Sequence, residues 1–264
     1  MINVKDLTVR VGEHTLVDQV SFTTQAGEVT GLIGPNGAGK STVLAAVAGD
    51  IEYSGEITVG GLSPKAPPRE LARTRAVMLQ DVSVSFEFLV RDVVAMGRRP
   101  WEGTAYADLD DAFIDAALDT VGVAHLAGRD ISTLSGGERA RAAFARVLAQ
   151  NTPVILLDEP TAALDIRHQE QLLGSVKALA REAGVAVLVV LHDLNAAAAY
   201  CDHVVCLSCG GLAAQGRVDE VFTSPTLSQV YGWPISVEGL RVHPQRATPT
   251  INPLFSHYLE DFHV

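Results

Sequence analysis

The fold of this 264-residue chain is decided by the nonapeptide Gly34-Pro35-Asn36-Gly37-Ala38-Gly39-Lys40-Ser41-Thr42. The apolar run Val29–Ile33 precedes it, and a second apolar run follows at residues 43–48. This order predicts a buried strand, a tight loop and then a helix. The nonapeptide itself fits the phosphate-binding pattern GxxxxGK(S/T). We therefore expect an α/β fold with a phosphate-binding loop between a central strand and a helix.

Each residue type in this loop has a physical task. Glycines accept positive φ and let backbone N–H groups approach phosphate oxygens without a Cβ in the way. The helix that begins there adds the positive end of its dipole and its unpaired first-turn donors. Lys40 supplies a cation for the β and γ phosphates, and the Ser41 hydroxyl is a ligand for Mg²⁺. Alone, the loop predicts binding of nucleotide phosphates; the alternative is a glycine-rich turn that binds nothing.

The composition favours one large domain and disfavours several functions. Hydrophobic residues make up 47% of the chain, which is ample for a sizeable core. With 31 acidic and 20 basic residues the net charge is −11, so we expect no nucleic-acid partner. No apolar stretch approaches the roughly 18 residues that span a bilayer, and the N-terminus lacks the layout of a signal peptide. These features predict a soluble chain in the cytosol.

Local patterns predict a β-rich beginning and a helical middle. Over residues 1–30 apolar and polar residues alternate, with a phase slip near Asp6 that a β-bulge would absorb. Prolines at 64, 67 and 68 predict a loop before a short strand. Residues 83–151 have helical character. Continuous apolar strands then alternate with a helix over Ile166–Ala183, which predicts a parallel sheet covered on both faces.

Three cysteines, Cys201, Cys206 and Cys209, lie close together in the chain. One interpretation is a metal site, because Cys206 and Cys209 form a CxxC pair. The other is that all three are small apolar residues on or beside a buried strand. No second CxxC or suitably spaced histidine pair completes a zinc set, so we favour the second interpretation. A disulfide is not expected in a reducing cytosol.

Two further motifs carry chemistry. The apolar residues 154–157 end in two carboxylates, Asp158 and Glu159. Asp158 is placed to hold Mg²⁺, directly or through water, and Glu159 to polarise a water that attacks the γ phosphate. Elsewhere, Ser135-Gly136-Gly137-Glu138 precedes an amphipathic segment, with Ser135 at the N-cap and two glycines that expose backbone donors. This is either an ordinary capped helix start or a second anion-binding terminus, serving a different nucleotide molecule.

Taken together, these motifs resemble those of ABC transporter ATP-binding subunits. The loop at 34–42 is similar to the Walker A motif, residues 134–138 to the family signature, residues 154–160 to Walker B and residues 161–165 to the D-loop. Gln80 is similar to the Q-loop glutamine and His192 to the switch histidine. All occur in the family's order and cover about residues 1–225. One departure is Val11, which is aliphatic where many members stack an aromatic residue on adenine.

The resemblance implies a particular division of the chain. It implies a phosphate-loop NTPase (RecA-like) core over about residues 1–82 and 152–225, with an N-terminal antiparallel β subdomain. An α-helical subdomain would be inserted over about residues 83–151. The ABC domain as a whole would cover residues 1–240, and residues 241–264 would be a C-terminal extension without an assigned role.

The resemblance also implies an ATPase that works as a head-to-tail homodimer with two ATP molecules at the interface. Each ATP site would pair the Walker motifs of one chain with Ser135, Gly136, Gly137 and Glu138 of the other, and Asp165 would act across the interface. The implied catalytic residues are Glu159, His192 and Gln80. The implied Mg²⁺ ligands are Ser41, Gln80 and Asp158.

Finer similarity points to importers of iron and cobalt chelates, among which the haem importer ATPases are most similar. Residues 148–150 and the tail from residue 230 to residue 244 carry part of this similarity. Ferric-siderophore and cobalamin importers are the near alternatives, and a soluble ABC ATPase acting on DNA or ribosomes is the alternative of a different class. The implied partners are an integral-membrane permease and, indirectly, a substrate-binding protein. The implied location is the cytoplasmic face of the membrane, as a peripheral subunit.

Overall fold

The computed structural model describes residues 1–79 and 88–244. Within these ranges the strands are β1 (Ile2–Val11), β2 (His14–Thr24), β3 (Val29–Ile33), β4 (Ser54–Val59), β5 (Arg75–Met78), β6 (Val154–Asp158), β7 (Ala186–Val190), β8 (His203–Ser208), β9 (Gly211–Arg217), β10 (Ile235–Glu238) and β11 (Arg241–Pro244). The α-helices are α1 (Lys40–Ala48), α2 (Pro68–Thr74), α3 (Val90–Ala95), α4 (Asp110–Thr120), α5 (Gly136–Gln150), α6 (Ile166–Ala183), α7 (Leu194–Tyr200), α8 (Val218–Val221) and α9 (Ser224–Tyr231).

A six-stranded sheet in the order β5-β6-β7-β3-β8-β9 forms the centre of the molecule. Its first five strands are parallel, and β9 is an antiparallel edge strand paired with β8. Every residue of β3, β6 and β7 is buried, because both faces of the sheet are covered. The predicted fold class is confirmed. In such sheets ligands bind at the carboxyl ends of the strands, and residue 34 and residue 159 follow β3 and β6 there.

An antiparallel sheet of β2, β1 and β4 covers one face of the central sheet, with α1 between them. Strand β1 shifts register against β2 between Val4 and Leu7. Asp6 lies in this irregularity with φ 51°, and its backbone N–H donates to the Ser21 hydroxyl at 2.8 Å instead of to a strand partner. The bulge predicted near Asp6 is therefore confirmed.

Helices α3, α4 and α5 enclose a hydrophobic cluster that is separate from the two clusters on the faces of the central sheet. Helix α5 connects this helical cluster to the main core, which is the larger of the two clusters on the central sheet. Phe144 packs in the main core, while Ala142 and Ala145 pack in the helical cluster. Among the described residues, no helix has both the length and the apolar character needed to cross a membrane.

The loop predicted over the proline-rich stretch is wrong in part, because α2 forms there. Pro68 is its first residue, a position where the missing N–H costs nothing and the fixed φ already suits a helix. Further along, β10 and β11 form a hairpin that runs through the boundary predicted at residue 240. The Asn195 side chain accepts a bond from the Val242 N–H at 2.9 Å and donates to the Val242 carbonyl at 3.4 Å, which ties the hairpin to α7.

Candidate active site

An open cleft of about 770 Å³ lies at the carboxyl ends of β3 and β6. Eight of the predicted site residues line it: Asn36, Gly37, Gly39, Lys40, Ser41, Thr42, Glu159 and His192. Four further residues complete its lining: Thr15, Leu16, Cys209 and Gly210. Segments that are far apart in sequence thus meet around one concave surface.

Glycine is required at both ends of the loop. Gly34 has φ 145°, and a Cβ there would lie 2.1 Å from the Leu207 carbonyl oxygen. Gly39 has φ 96° and is the N-cap of α1, where no side chain caps the helix. The first-turn N–H groups of α1 are therefore left without a side-chain acceptor, as an anion-binding helix terminus requires.

Lys40 is buried beneath the loop, and its ammonium donates to the carbonyls of Gly34 and Pro35 at 2.9 Å each. Burial lowers the pKa of Lys40, while the nearby Glu159 and Asp158 oppose that shift. Charged phosphate oxygens are stronger acceptors than neutral carbonyls. The ammonium is therefore poised to exchange these carbonyls for phosphate.

Ser41 lines the cleft, and its hydroxyl donates to the carboxylate of the buried Asp158 at 3.3 Å. Asp158 is only 6% exposed. Burial raises its pKa and the neighbouring Glu159 adds to the shift, while the bond from Ser41 and the nearby His192 and Lys40 act in the opposite direction. A hydroxyl and a buried carboxylate are hard oxygen ligands of the kind Mg²⁺ prefers, so these two residues fit that ion. Gln80 lies outside the described residues.

Glu159 and His192 contact each other through hydrogen bonding of Glu159 Oε1 with His192 Nε2. Glu159 has φ 48°, a left-handed conformation that is unusual for a residue with a side chain. Its backbone N–H donates to the Val190 carbonyl at 3.3 Å, at the end of β7, two residues before His192. The two side chains are thus brought together by the pairing of β6 with β7.

The turn at Ser135 forms a full capping box at the start of α5. The Ser135 hydroxyl accepts from the Glu138 N–H at 3.3 Å, and Glu138 accepts from the Ser135 N–H at 2.8 Å. That second bond lowers the pKa of Glu138. The turn packs beside the D-loop, since a Cβ on Gly137 would lie 3.3 Å from the Ala163 carbonyl. Asp165 caps α6, and the N–H bond from His168 lowers the Asp165 pKa.

The cleft and the turn at Ser135 are separate in the single chain. The described residues that line the cleft include none of Ser135, Gly136, Gly137 and Glu138. The structure therefore brings together the Walker A and Walker B residues and His192, and leaves the signature turn and Asp165 at a different surface.

The cleft wall near β2 was missed by sequence reasoning. Val11, the position considered for adenine, is 62% exposed and does not line the cleft, whereas Leu16 is 40% exposed and does.

Cys209 is exposed in the cleft, unlike the buried Cys201 and Cys206. All three cysteines lie on or beside the buried strand β8, as expected, but Cys209 is exposed because it lies in the turn between β8 and β9 with φ 49°. No local pattern could have paired this turn with β2.

Comparisons with known proteins agree with this geometry. Residues 17–162 match the family model described as ABC transporter. The hemin import ATP-binding protein of Nocardia farcinica is 52% identical over 225 residues, covering 84% of this chain and 77% of that protein. The protein of the same name from Streptomyces coelicolor is also 52% identical, covering 88% of this chain and 83% of that protein.

Two solved structures are similar over most of their length. One is a chain of an ABC transporter, assigned to the metal-chelate type, in an inward-facing conformation; it has a TM-score of 0.77 and 26% identity, and the match covers 96% of this chain and 98% of that one. The other is a dimeric ATP-binding cassette in a post-hydrolysis state bound to ADP and Pi, with a TM-score of 0.73, 26% identity and coverage of 82% and 98%. The family recognised from the order of the motifs is therefore confirmed. The chain belongs to the ABC transporter family, as an ATP-binding cassette that hydrolyses ATP.

Proposed function

We propose that this chain is the ATP-hydrolysing subunit of a haem importer, that it works as a head-to-tail homodimer, and that it drives a membrane permease. The observation that carries the catalytic part is the convergence of Lys40, Ser41, Glu159 and His192 on one cleft, with Asp158 bonded to Ser41. The cargo is supported by the relatives named as hemin import ATP-binding proteins, at 52% identity for two of them.

The nucleotide phosphates occupy the loop at residues 34–42. The N–H groups at the start of α1 face the phosphate oxygens, and the Lys40 ammonium leaves the Gly34 and Pro35 carbonyls to bind the β and γ phosphates. Ser41 and Asp158 would hold Mg²⁺, with Gln80 as a third ligand. When bound, this ion supplies charge neutralisation for the β- and γ-phosphate oxygens.

Hydrolysis depends on Glu159 and His192. Glu159 orients and polarises the water that attacks the γ phosphate, and its carboxylate accepts the proton that the water loses. His192 contacts the γ phosphate and stabilises the charge that builds up during transfer. Their mutual contact keeps both side chains at the cleft wall beside Ser41. Gln80 couples this site to the helical subdomain.

The second half of each ATP site comes from the partner chain. Ser135, Gly136, Gly137 and Glu138 of one chain cover the phosphates bound by the other, and Asp165 acts across the same interface. Two observations support this arrangement. The signature turn lies outside the cleft of its own chain, and a similar cassette forms dimers.

The homodimer docks on the cytoplasmic side of an integral-membrane permease, which receives haem from a substrate-binding protein. The similarity to a transporter assigned to the metal-chelate type keeps ferric-siderophore and cobalamin complexes as alternative cargoes. Since the ATPase does not contact the cargo in this proposal, an experiment must distinguish these cargoes through the permease.

The test uses Glu159→Gln as bait. This variant binds ATP and dimerises but hydrolyses ATP about 10²- to 10⁴-fold more slowly, because it lacks the general base. With ATP it should capture a polytopic permease from detergent-solubilised membranes of the source cell. Glu182→Gln, an exposed change on α6, is the matched control and should turn over ATP at the wild-type rate.

The captured permease is then reconstituted with the wild-type chain and with binding protein loaded with haem, a ferric siderophore or cobalamin. Stimulation of ATP hydrolysis by the haem-loaded protein supports the proposal. If ATP hydrolysis is stimulated only by binding protein loaded with another cargo, the chain is the ATPase of an importer for that cargo. Capture of soluble or nucleic-acid partners alone would instead support a cytosolic ABC ATPase.

A further inference from the structure

A tyrosine near the end of the described chain contacts the phosphate loop. The Tyr231 hydroxyl accepts a hydrogen bond from the Gly34 N–H at 3.1 Å, although the two residues are 197 positions apart. Tyr231 is the last residue of α9. Burial raises the pKa of its phenol, so the hydroxyl stays neutral at physiological pH. Tyr231 lies well beyond residues 17–162, which match the family model.

Gly34 is the joint between β3 and the loop. On one side its N–H is held by Tyr231, and on the other its carbonyl accepts from the Lys40 ammonium at 2.9 Å. Residue 34 has no side chain of its own to make stabilising contacts, because a Cβ there would clash with the Leu207 carbonyl. The orientation of the two peptides that flank Gly34 is thus set by Lys40 of the same loop and by Tyr231 of α9.

The bond from Gly34 to Tyr231 and the bond from Lys40 to Gly34 respond differently when phosphate binds. In the proposed function, Lys40 exchanges the Gly34 and Pro35 carbonyls for phosphate oxygens. The bond from Gly34 to Tyr231 involves no ligand atom and persists. We propose that Tyr231 is a positioning residue for ATP binding, whose hydroxyl holds the start of the loop in place while Lys40 changes partners. This inference rests on the assignment of residues 34–42 as the phosphate-binding loop.

Helix α9 is itself firmly anchored. Leu227 and Val230 are buried in the main core. The Ser228 hydroxyl accepts from the Ile235 N–H at 2.9 Å and donates to the Ile235 carbonyl at 3.1 Å, and the Ser224 hydroxyl accepts from the Val237 N–H at 2.8 Å. Strand β10 therefore braces α9 along its length. Tyr231 is presented to the loop by a rigid element, as a positioning role requires.

The test is Tyr231→Phe, which keeps the partly buried ring and removes the acceptor. The Gly34 N–H is then left without its partner, and the start of the loop is no longer held in its binding conformation before ATP arrives. Ordering the loop on binding costs free energy, so we expect ATP to bind about fivefold more weakly. KM for ATP should rise by a similar factor while kcat stays within about twofold, because Tyr231 touches no reacting atom. The Gly34 amide should also exchange with solvent faster than in the wild type.

Tyr200→Phe is the matched control, since its hydroxyl is bonded to Glu170 at the junction of α6 and α7. It should leave ATP affinity and Gly34 exchange unchanged. Equal ATP affinity in Tyr231→Phe and wild type, or a Gly34 amide that exchanges equally fast in both, overturns the inference even if the variant is less stable. A wild-type chain that fails to bind ATP would instead overturn the phosphate-loop assignment.

Discussion

Asp158 shows how a single residue at the site works against stability. Its carboxylate is almost fully buried, and burial is the largest influence on its raised pKa. A raised pKa means that the folded chain binds this proton more tightly than the unfolded chain does. Stability therefore falls as pH rises above the ordinary aspartate pKa and through the folded value. At neutral pH the ionised carboxylate therefore costs stability, which Ser41, His192 and Lys40 offset in part.

Asp158→Asn should accordingly raise the Tm of the chain at pH 7 in the absence of nucleotide, by about 2–4 °C for each kcal/mol gained. The amide can still accept the bond from Ser41. The gain should shrink as pH falls toward the ordinary aspartate value of 3.8, where Asp158 becomes protonated and the two chains become equivalent. Thermal unfolding at several pH values measures this.

Asp119→Asn is the control for that experiment, because Asp119 is exposed at the end of α4. The free energy of unfolding of Asp119→Asn should differ from that of the wild type by no more than about 0.5 kcal/mol at any pH. A lower Tm for Asp158→Asn at pH 7 would show that the Asp158 charge already has a stabilising partner in the folded chain.

At the scale of the element, the start of α5 combines a structural and a proposed functional task. The capping box satisfies two backbone donors that would otherwise be unpaired, one at Ser135 and one at Glu138. The same turn exposes Gly136 and Gly137 at the positive end of a 15-residue helix. Ser135 is therefore needed for the helix whether or not it contacts a nucleotide.

Ser135→Ala should lower the free energy of unfolding by about 1 kcal/mol, the usual value of an N-cap, and Ser135→Thr should restore most of that loss. Chemical denaturation of the isolated chain measures both. Ser175→Ala, which removes a serine from the interior of α6, is the control and should not destabilise the chain, because alanine favours helices. Equal stability of Ser135→Ala and wild type would contradict a stabilising capping box.

At the scale of the whole molecule, the separation of the signature turn from the cleft allows dimerisation to be tested without touching ATP binding. Gly136 is suited to this purpose, since a Cβ there would meet only the Ala163 side chain, at 3.8 Å. An aspartate at this first-turn position is favoured by the helix dipole. In the proposed dimer, the same aspartate would face the phosphates bound by the partner chain.

Gly136→Asp, introduced into Glu159→Gln, should therefore bind ATP as a monomer with unchanged affinity but fail to dimerise. Light scattering coupled to size exclusion, with and without ATP, measures this. Gly128→Asp in the same background adds the same charge at an exposed glycine with open space around it, and it should dimerise normally. ATP-dependent dimers of the Gly136→Asp chain would rule out the proposed contact between the signature turn and phosphate.

The local parts of the structure were determined by the sequence itself. Glycines at 34 and 39 permit the loop, the bulge at Asp6 follows from a slip in alternation, and Ser135 with Glu138 caps α5. The signal for each of these features lies in a short stretch of sequence, although Leu207 and Ser21 complete the contacts of Gly34 and Asp6 in the folded chain. The order of the motifs was enough to identify the family, and continuous apolar strands were enough to predict a covered parallel sheet.

Only the tertiary structure decided which distant segments meet. It placed Leu16 and Cys209 in the cleft, brought Glu159 against His192, and set the Tyr231 hydroxyl on Gly34. Such contacts depend on strand order and on the packing of helices across the sheet. They leave no periodicity or spacing in the chain, because the free energy that forms them comes from burial shared by the whole core and not from any one stretch.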